Sequence, residues 1–233
     1  GIEVRYANPE NPKEFKELSD SKTRLYYAET LPNPSLRIFP IEEVSKIGID
    51  SGIPLIIDNT ACPVICNPID YGAAIVLHSL TKFIGGHGTS IGGVIIDSGK
   101  FDWSIDKKRQ PNIWEPDESY HGTIWGEVVP KLTGANIPYI IRNRVVLLRD
   151  LGSALSPFNS FLIIQGLETL ALRMKQHCIN AEKIKTLLEG HPKVNKVIFS
   201  TNQNKYFNNL AQKYLKGGNG SLIGIELSGG MDA

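Results

Sequence analysis

Ala73-Ala74-Ile75-Val76-Leu77-His78-Ser79-Leu80-Thr81-Lys82 is an apolar run that ends in two hydroxyls and a lysine. Its first part, Ala73 to His78, reads as a buried strand, because a continuous apolar run of that length suits a strand covered on both faces. Upstream, Pro54-Leu55-Ile56-Ile57-Asp58 has the same character. Arg24 to Glu29 and Ser90 to Asp97 supply two further strands. Pro40 to Ile47 reads as a helix, with proline in its first turn and Glu42 and Glu43 set against the positive end of the helix dipole. Short apolar strands joined by helical segments predict an α/β fold, a mostly parallel sheet covered by helices. Ile2-Glu3-Val4-Arg5-Tyr6 also reads like a strand.

From about Gly126 the texture changes. Arg142 to Leu155 and Phe161 to Leu188 carry apolar residues at helical spacing, punctuated by Ser156-Pro157. Lys196 to Phe199 and Ser221 to Leu227 read as strands, with a helical Tyr206 to Leu215 between them. This grouping predicts that residues 1–155 are part of a large domain and that 156–233 begin a smaller, truncated α+β domain. Neither end carries the polar linker expected of a domain boundary, so the chain reads as an internal piece of a longer protein.

Bulk properties narrow the function classes. Of the 233 residues, 25 are Lys or Arg and 24 are Asp or Glu, so the net charge is +1. A balanced chain offers no electrostatic reason to expect nucleic acid or an anionic membrane as partner. No apolar run reaches membrane-spanning length, and no signal peptide is evident. Three cysteines at irregular spacing argue against a disulfide framework and for a reducing cytosol. Cys62 and Cys66 are four positions apart with no nearby Cys/His pair to complete a zinc set, so no metal is expected. Cys178 falls in a helical stretch and reads as core.

Three features fall at the carboxyl ends of predicted strands, the edge where open α/β sheets bind ligands. Asp58 ends one strand, and a carboxylate there can pair with a cationic ring nitrogen. Ser79 and Thr81 follow another, where two hydroxyls can donate to one phosphate. Lys82 stands next to them, where its amine can meet an aldehyde once desolvation keeps it neutral. Gly85 to Gly93 is glycine-rich and lets backbone approach a ligand closely. Taken alone each has an ordinary reading: Asp58 as a turn cap, Lys82 as a solvated lysine, the glycine run as a tight turn before a strand. The run does not match the dinucleotide fingerprint, and no phosphate-loop signature occurs. His87 and His121, both in glycine-rich settings, serve either as turn residues or as ligand contacts. Trp103, Trp114 and Trp125 read as packing.

Together these residues resemble the cysteine/methionine-metabolism family of pyridoxal-phosphate enzymes along essentially the whole chain. Ile57-Asp58-Asn59-Thr60 is similar to the family's strand-Asp-Asn-Thr element, and Ser79-Leu80-Thr81-Lys82 to its Ser-x-Thr-Lys element. Glu29 to Pro34 is similar to its Glu-x-x-x-Asn-Pro element. Leu155 to Phe158 and Gly166 to Met174 look like the start of its C-terminal domain. Gly86-His87-Gly88-Thr89-Ser90, Lys100 to Trp103, Glu115 to Gly122 and Gln165 resemble the O-acetylhomoserine sulfhydrylase branch rather than the cystathionine synthases and lyases or methionine γ-lyase.

The resemblance implies the fold-type I transferase architecture and pyridoxal 5'-phosphate as cofactor. It implies Lys82 as the lysine in Schiff-base linkage and as the proton carrier, and Asp58 as the partner of the ring nitrogen. Ser79 and Thr81 would seat the phosphate, and Asn33 would meet the ring hydroxyl. The implied reaction is γ-replacement on O-acetyl-L-homoserine by sulfide or methanethiol, giving homocysteine or methionine and acetate. Cystathionine γ-synthase or methionine γ-lyase activity is the alternative, and a non-catalytic α/β scaffold is the alternative of another class. The family also implies a homotetramer built of dimers with shared sites. Its ring-stacking aromatic and substrate-carboxylate arginine are expected outside this chain.

Overall fold

The computed structural model describes residues 1–230. Its principal sheet has four strands in the order β1 (Tyr26–Glu29), β2 (Leu55–Asp58), β3 (Ile75–Ser79) and β4 (Gly93–Asp97). β1, β2 and β3 are mutually parallel, with Glu29 opposite Asp58 and Asp58 opposite Leu77. β4 runs antiparallel to β3, with Gly93 opposite Ser79. The carboxyl ends of three strands and the start of the fourth therefore lie along one edge.

Side chains alternate across a strand, and register partners share a face. Tyr26, Leu55, Ile57 and Val76 look to one side, into the largest core. Helix α1 (Ile41–Asp50) buries Ile41 and Val44 there. It approaches closely because Gly48 has no side chain to collide with the Ile53 carbonyl. Ile56 and Ile75 look to the other side, where Phe101, Trp103 and Ile113 cover them. Both faces of β2 and β3 are covered, as their continuous apolar runs predict.

Helix α2 (Trp125–Thr133) and helix α3 (Pro138–Arg142) follow β4; the chain continues from α3 through a wider turn at Asn143–Leu148 to Leu151. Helix α4 (Pro157–Glu168) begins at a Ser156 cap that accepts from the Asn159 N–H at 3.2 Å. Helix α5 (Leu170–Glu189) leads to β5 (Val194–Ile198), helix α6 (Lys205–Tyr214) and β6 (Gly224–Leu227). β5 and β6 form a separate antiparallel pair. Cys178 of α5 and Phe207, Leu210 and Tyr214 of α6 are buried in the same core as the inner face of the main sheet. The core reading of Cys178 is thereby borne out. No described helix is long and apolar enough to cross a membrane.

Three expectations need correction. Residues 2–6 are not a strand: they join no ladder among the described residues, and Ile2, Val4 and Tyr6 are exposed. Apolar alternation makes a strand only where a ladder partner and a face to cover exist. The helical reading of Arg142 to Leu155 runs too far, since Gly152 takes φ 69° and caps the helix after Leu151. Finally, β4 is not covered on both faces as its apolar run predicts: it is the antiparallel edge strand, and Ile95 and Ile96 are exposed.

Because α6 shares the core of the sheet, the structure predicts one cooperative transition for both. Phe207, 1% exposed, should cost about 3–5 kcal/mol when cut to alanine. Denaturation followed by circular dichroism and by core tryptophan fluorescence should give coincident, equally shifted transitions. An α6 that melts while the tryptophans stay native would refute the shared core.

Candidate active site

Backbone pairing beyond the strand ends builds the edge. The Thr30 N–H donates to the Asp58 carbonyl at 3.0 Å, and the Asn59 N–H to the Leu77 carbonyl at 2.8 Å. Asn59, 2% exposed, then holds the loop after β2. Its side chain accepts from the Thr30 hydroxyl at 2.7 Å and donates to the Cys66 carbonyl at 2.9 Å. Buried amides are kept only when satisfied in this way.

Asp58 is the last residue of β2 and half-buried. Its Oδ1 accepts from the Thr60 N–H at 2.8 Å, a local turn bond that fixes the carboxylate's orientation. By alternation it shares a face with Tyr27, Glu29 and Ser79. The Tyr27 phenol is pushed up by burial and by the neighbouring Asp58 and Glu29 carboxylates. His78 points to the opposite face. Burial pushes its imidazole down, opposed in part by Asp58, and its Nδ1 is buried without a partner among the described residues.

The lysine sits on a wide turn. The Gly85 N–H donates to the Leu80 carbonyl at 2.9 Å, closing a wide turn over Leu80–Ile84 with Lys82 at its middle. Lys82 itself is non-helical, at φ −95° and ψ −121°, and its side chain is exposed. β3 and β4 stay zipped as far as Leu80, whose N–H donates to the Gly92 carbonyl at 2.9 Å. Thr81 Oγ1 accepts from the Gly92 N–H at 3.0 Å and donates to the Gly92 carbonyl at 3.3 Å. The Ser79 N–H donates to Thr60 Oγ1 at 2.7 Å, so the Asp58 loop and the Lys82 turn are joined directly.

Asp58, Ser79, Thr81 and Lys82 thus meet at one edge, as expected. The same edge receives the glycine run Gly85–Gly93. Asn33 lies four residues beyond β1 on an exposed turn, and among the described residues no side-chain hydrogen bond joins it to the other four. His87 Nδ1 meets the Gly85 carbonyl at 2.8 Å and His121 occupies a left-handed turn position, so both are turn residues. Trp103 and Trp114 pack together, the indole N–H of Trp114 donating to the Trp103 carbonyl at 2.7 Å. Trp125 belongs to a different cluster with Val129 and Val146. Sequence reasoning missed Thr60 as the link between loops, although it stands in the quoted Asp-Asn-Thr element. It also missed the support beneath the turn. Leu80, Phe83 and Ile84 pack on Ile163 of α4 and on Leu170 and Met174 of α5.

The donor set suits pyridoxal phosphate. It offers a carboxylate for a cationic ring nitrogen, hydroxyls for a phosphate and an exposed primary amine for an aldehyde. The Thr81 hydroxyl can turn its proton outward from the long bond to the Gly92 carbonyl and still accept from the Gly92 N–H.

The fold is that of pyridoxal-phosphate enzymes built on a mostly parallel sheet, the fold-type I class. Residues 1–233 match the family model for the Cys/Met metabolism PLP-dependent enzymes, and the chain belongs to that family. It is 48% identical over its whole length to an O-acetyl-L-homoserine sulfhydrylase of Leptospira meyeri, of which it covers 53%. It is 42% identical to a homocysteine synthase of Schizosaccharomyces pombe, again covering 53%. A structure from Campylobacter jejuni, described as an O-acetylhomoserine (thiol)-lyase with N'-pyridoxyl-lysine-5'-monophosphate, superposes with a TM-score of 0.84. It is 33% identical and covers 94% of this chain and 53% of its own. The chain spans about half the length of the curated relatives it matches.

The His78 environment makes a pH prediction. Its folded pKa lies below the ordinary value of 6.5, so as pH falls through that value the unfolded chain gains a proton that the folded chain resists. Stability should therefore decline as pH falls through the ordinary imidazole value of 6.5, and His78→Gln should make that decline shallower. An unchanged slope in chemical denaturation at several pH values would remove His78 from the account.

Proposed function

We propose that this chain carries the cofactor-binding half of an enzyme that replaces the γ-substituent of O-acetyl-L-homoserine. Sulfide or methanethiol takes the place of acetate, giving L-homocysteine or L-methionine. The single observation that carries the reading is the meeting of Asp58, Ser79, Thr81 and Lys82 at the carboxyl edge of parallel strands. The names of the sulfhydrylase, homocysteine synthase and thiol-lyase relatives support the substrate.

Pyridoxal phosphate, when bound, supplies an electron sink for the charge left at the substrate α-carbon. Asp58 would keep the ring nitrogen protonated, and its bond from the Thr60 N–H holds the carboxylate in place for that task. Ser79 and Thr81 would donate their hydroxyls to the phosphate and so fix the ring's orientation. Asn33, on the turn after β1, would meet the ring hydroxyl. Lys82 binds the cofactor at rest. With the substrate amine bound in its stead, the Lys82 Nζ would be the base that takes the α-proton and later returns protons to carbon.

The reading extends to the rest of the protein. Residues 1–155 form part of the large cofactor domain and 156–233 the start of the C-terminal domain. The enzyme is a homo-oligomer built of dimers with sites completed between subunits. Support comes from the apolar residues exposed on α4, Phe158, Phe161, Ile164 and Leu167. Three buried cysteines carried as free thiols suit the cytosol.

The intact protein should turn over O-acetylhomoserine with sulfide faster than O-succinylhomoserine with cysteine or methionine alone; the reverse order would reject the substrate assignment. Lys82→Ala should lose both the visible band of the bound cofactor and turnover, and a band that survives would dismiss Lys82. Asp58→Asn should keep the cofactor while slowing deuterium exchange at the substrate α-carbon by at least about a hundredfold. Exchange at the wild-type rate would mean that Asp58 does not serve the electron sink.

A further inference from the structure

The turn that carries Lys82 is gripped from the side away from the strand ends by one guanidinium. Arg173, in the first turn of α5, donates from Nη1 to the Phe83 carbonyl at 2.7 Å. From Nη2 it donates to the Ile84 carbonyl at 3.1 Å and to the Gly166 carbonyl at 2.7 Å. Its Nε donates to Thr169 Oγ1 at 3.1 Å. Among the described residues it forms no ion pair with a carboxylate, in contrast to Arg142 with Asp117. All three of its nitrogens are spent on the turn and on the α4–α5 junction.

The carbonyls it takes are the ones the turn cannot satisfy itself. Phe83 and Ile84 close a single helical turn, and terminal carbonyls of such a turn lack internal partners. A cation at that end is favourable, and the planar guanidinium can hold neighbouring carbonyls in one geometry where an ammonium cannot. Two glycines make the approach possible. A Cβ on Gly166 would meet the Gly85 carbonyl and lie 2.6 Å from the Ile84 carbonyl. A Cβ on Gly86 would lie 2.6 Å from the Arg173 guanidinium carbon. The stretch from Gly166 to Arg173 is therefore built to seat the turn.

We propose that Arg173 is a positioning residue for Lys82. By holding the carbonyls of the two residues after Lys82, it sets the backbone from which the lysine side chain projects. It also ties the α4–α5 junction to the amine that moves the protons. The inference rests on the role given to Lys82 under the proposed function.

The test compares Arg173→Lys and Arg173→Gln with the wild type in the intact holoenzyme. Three readouts apply: the pH midpoint of the visible band of the lysine-bound cofactor, kcat and KM taken separately, and amide exchange over residues 80–92 against that over β5 and β6. Both variants should keep the cofactor on Lys82, shift the midpoint and exchange faster over residues 80–92 alone. The kcat should fall by about tenfold to a hundredfold with KM little changed, the cost expected when a catalytic group is displaced by about 1 Å. Arg173→Lys should recover part of the loss. A wild-type midpoint, kcat and local exchange in Arg173→Gln would overturn the proposal, as would exchange that rises equally in β5 and β6. If Arg173→Gln does not fold, Arg173→Lys and Thr169→Ala carry the same readouts, and wild-type values in both would overturn it. A wild type without the visible band, or with its cofactor on another lysine, would instead refute the proposed function, before any variant is read.

Discussion

The site depends on the parallel register of β1, β2 and β3. Glu29 stands opposite Asp58, and Asp58 opposite Leu77, so three strand ends stop at one level with their alternate side chains on one face. A slip of one residue would send every side chain of a strand to the other face. Asp58 would then point into the core that holds Ile57 and Val76, and Ser79 would leave the face it shares with Asp58. The register is held by what is buried rather than by the polar residues themselves. Ile57 and Ile75 are both fully buried, on opposite sides of the sheet. A slip would push each into the opposite core, which is packed around other side chains, at a cost of about 1–3 kcal/mol each.

Polar bonds then refine what register makes approximate. Thr60 is the clearest case. Its N–H meets the Asp58 carboxylate while its hydroxyl accepts from the Ser79 N–H, so one residue sets both the carboxylate and the start of the lysine turn. Beneath the turn, α4 and α5 supply an apolar seat of Ile163, Leu170 and Met174. Two segments far apart in sequence therefore hold the lysine between them. The same pattern appears on the other face of the sheet, where α6 enters the main core.

Much of this was legible in the residues. The apolar runs before Asp58 and Ser79 could be read as buried strands because nothing else explains such short continuous stretches. The cluster of Asp58, Ser79, Thr81 and Lys82 could be read because its members share one position relative to their strands. The rest was not legible for physical reasons. Ile2 to Tyr6 has the alternation of a strand, but pairing is a property of neighbours, and no strand lies beside it. The wide turn around Lys82 depends on a bond from the Gly85 N–H to the Leu80 carbonyl, which no residue type announces. The grip of Arg173 joins positions 90 and 89 residues apart, so only the folded chain reveals it.

Under the proposed function the amine of Lys82, and no other, carries the cofactor. Borohydride reduction of the intact protein, followed by proteolysis and mass spectrometry, tests it most directly. The account predicts a single pyridoxyl-phosphate adduct on the peptide that contains Ser79-Leu80-Thr81-Lys82. An adduct on any other lysine, or a yellow protein that gives no lysine adduct at all, would contradict it.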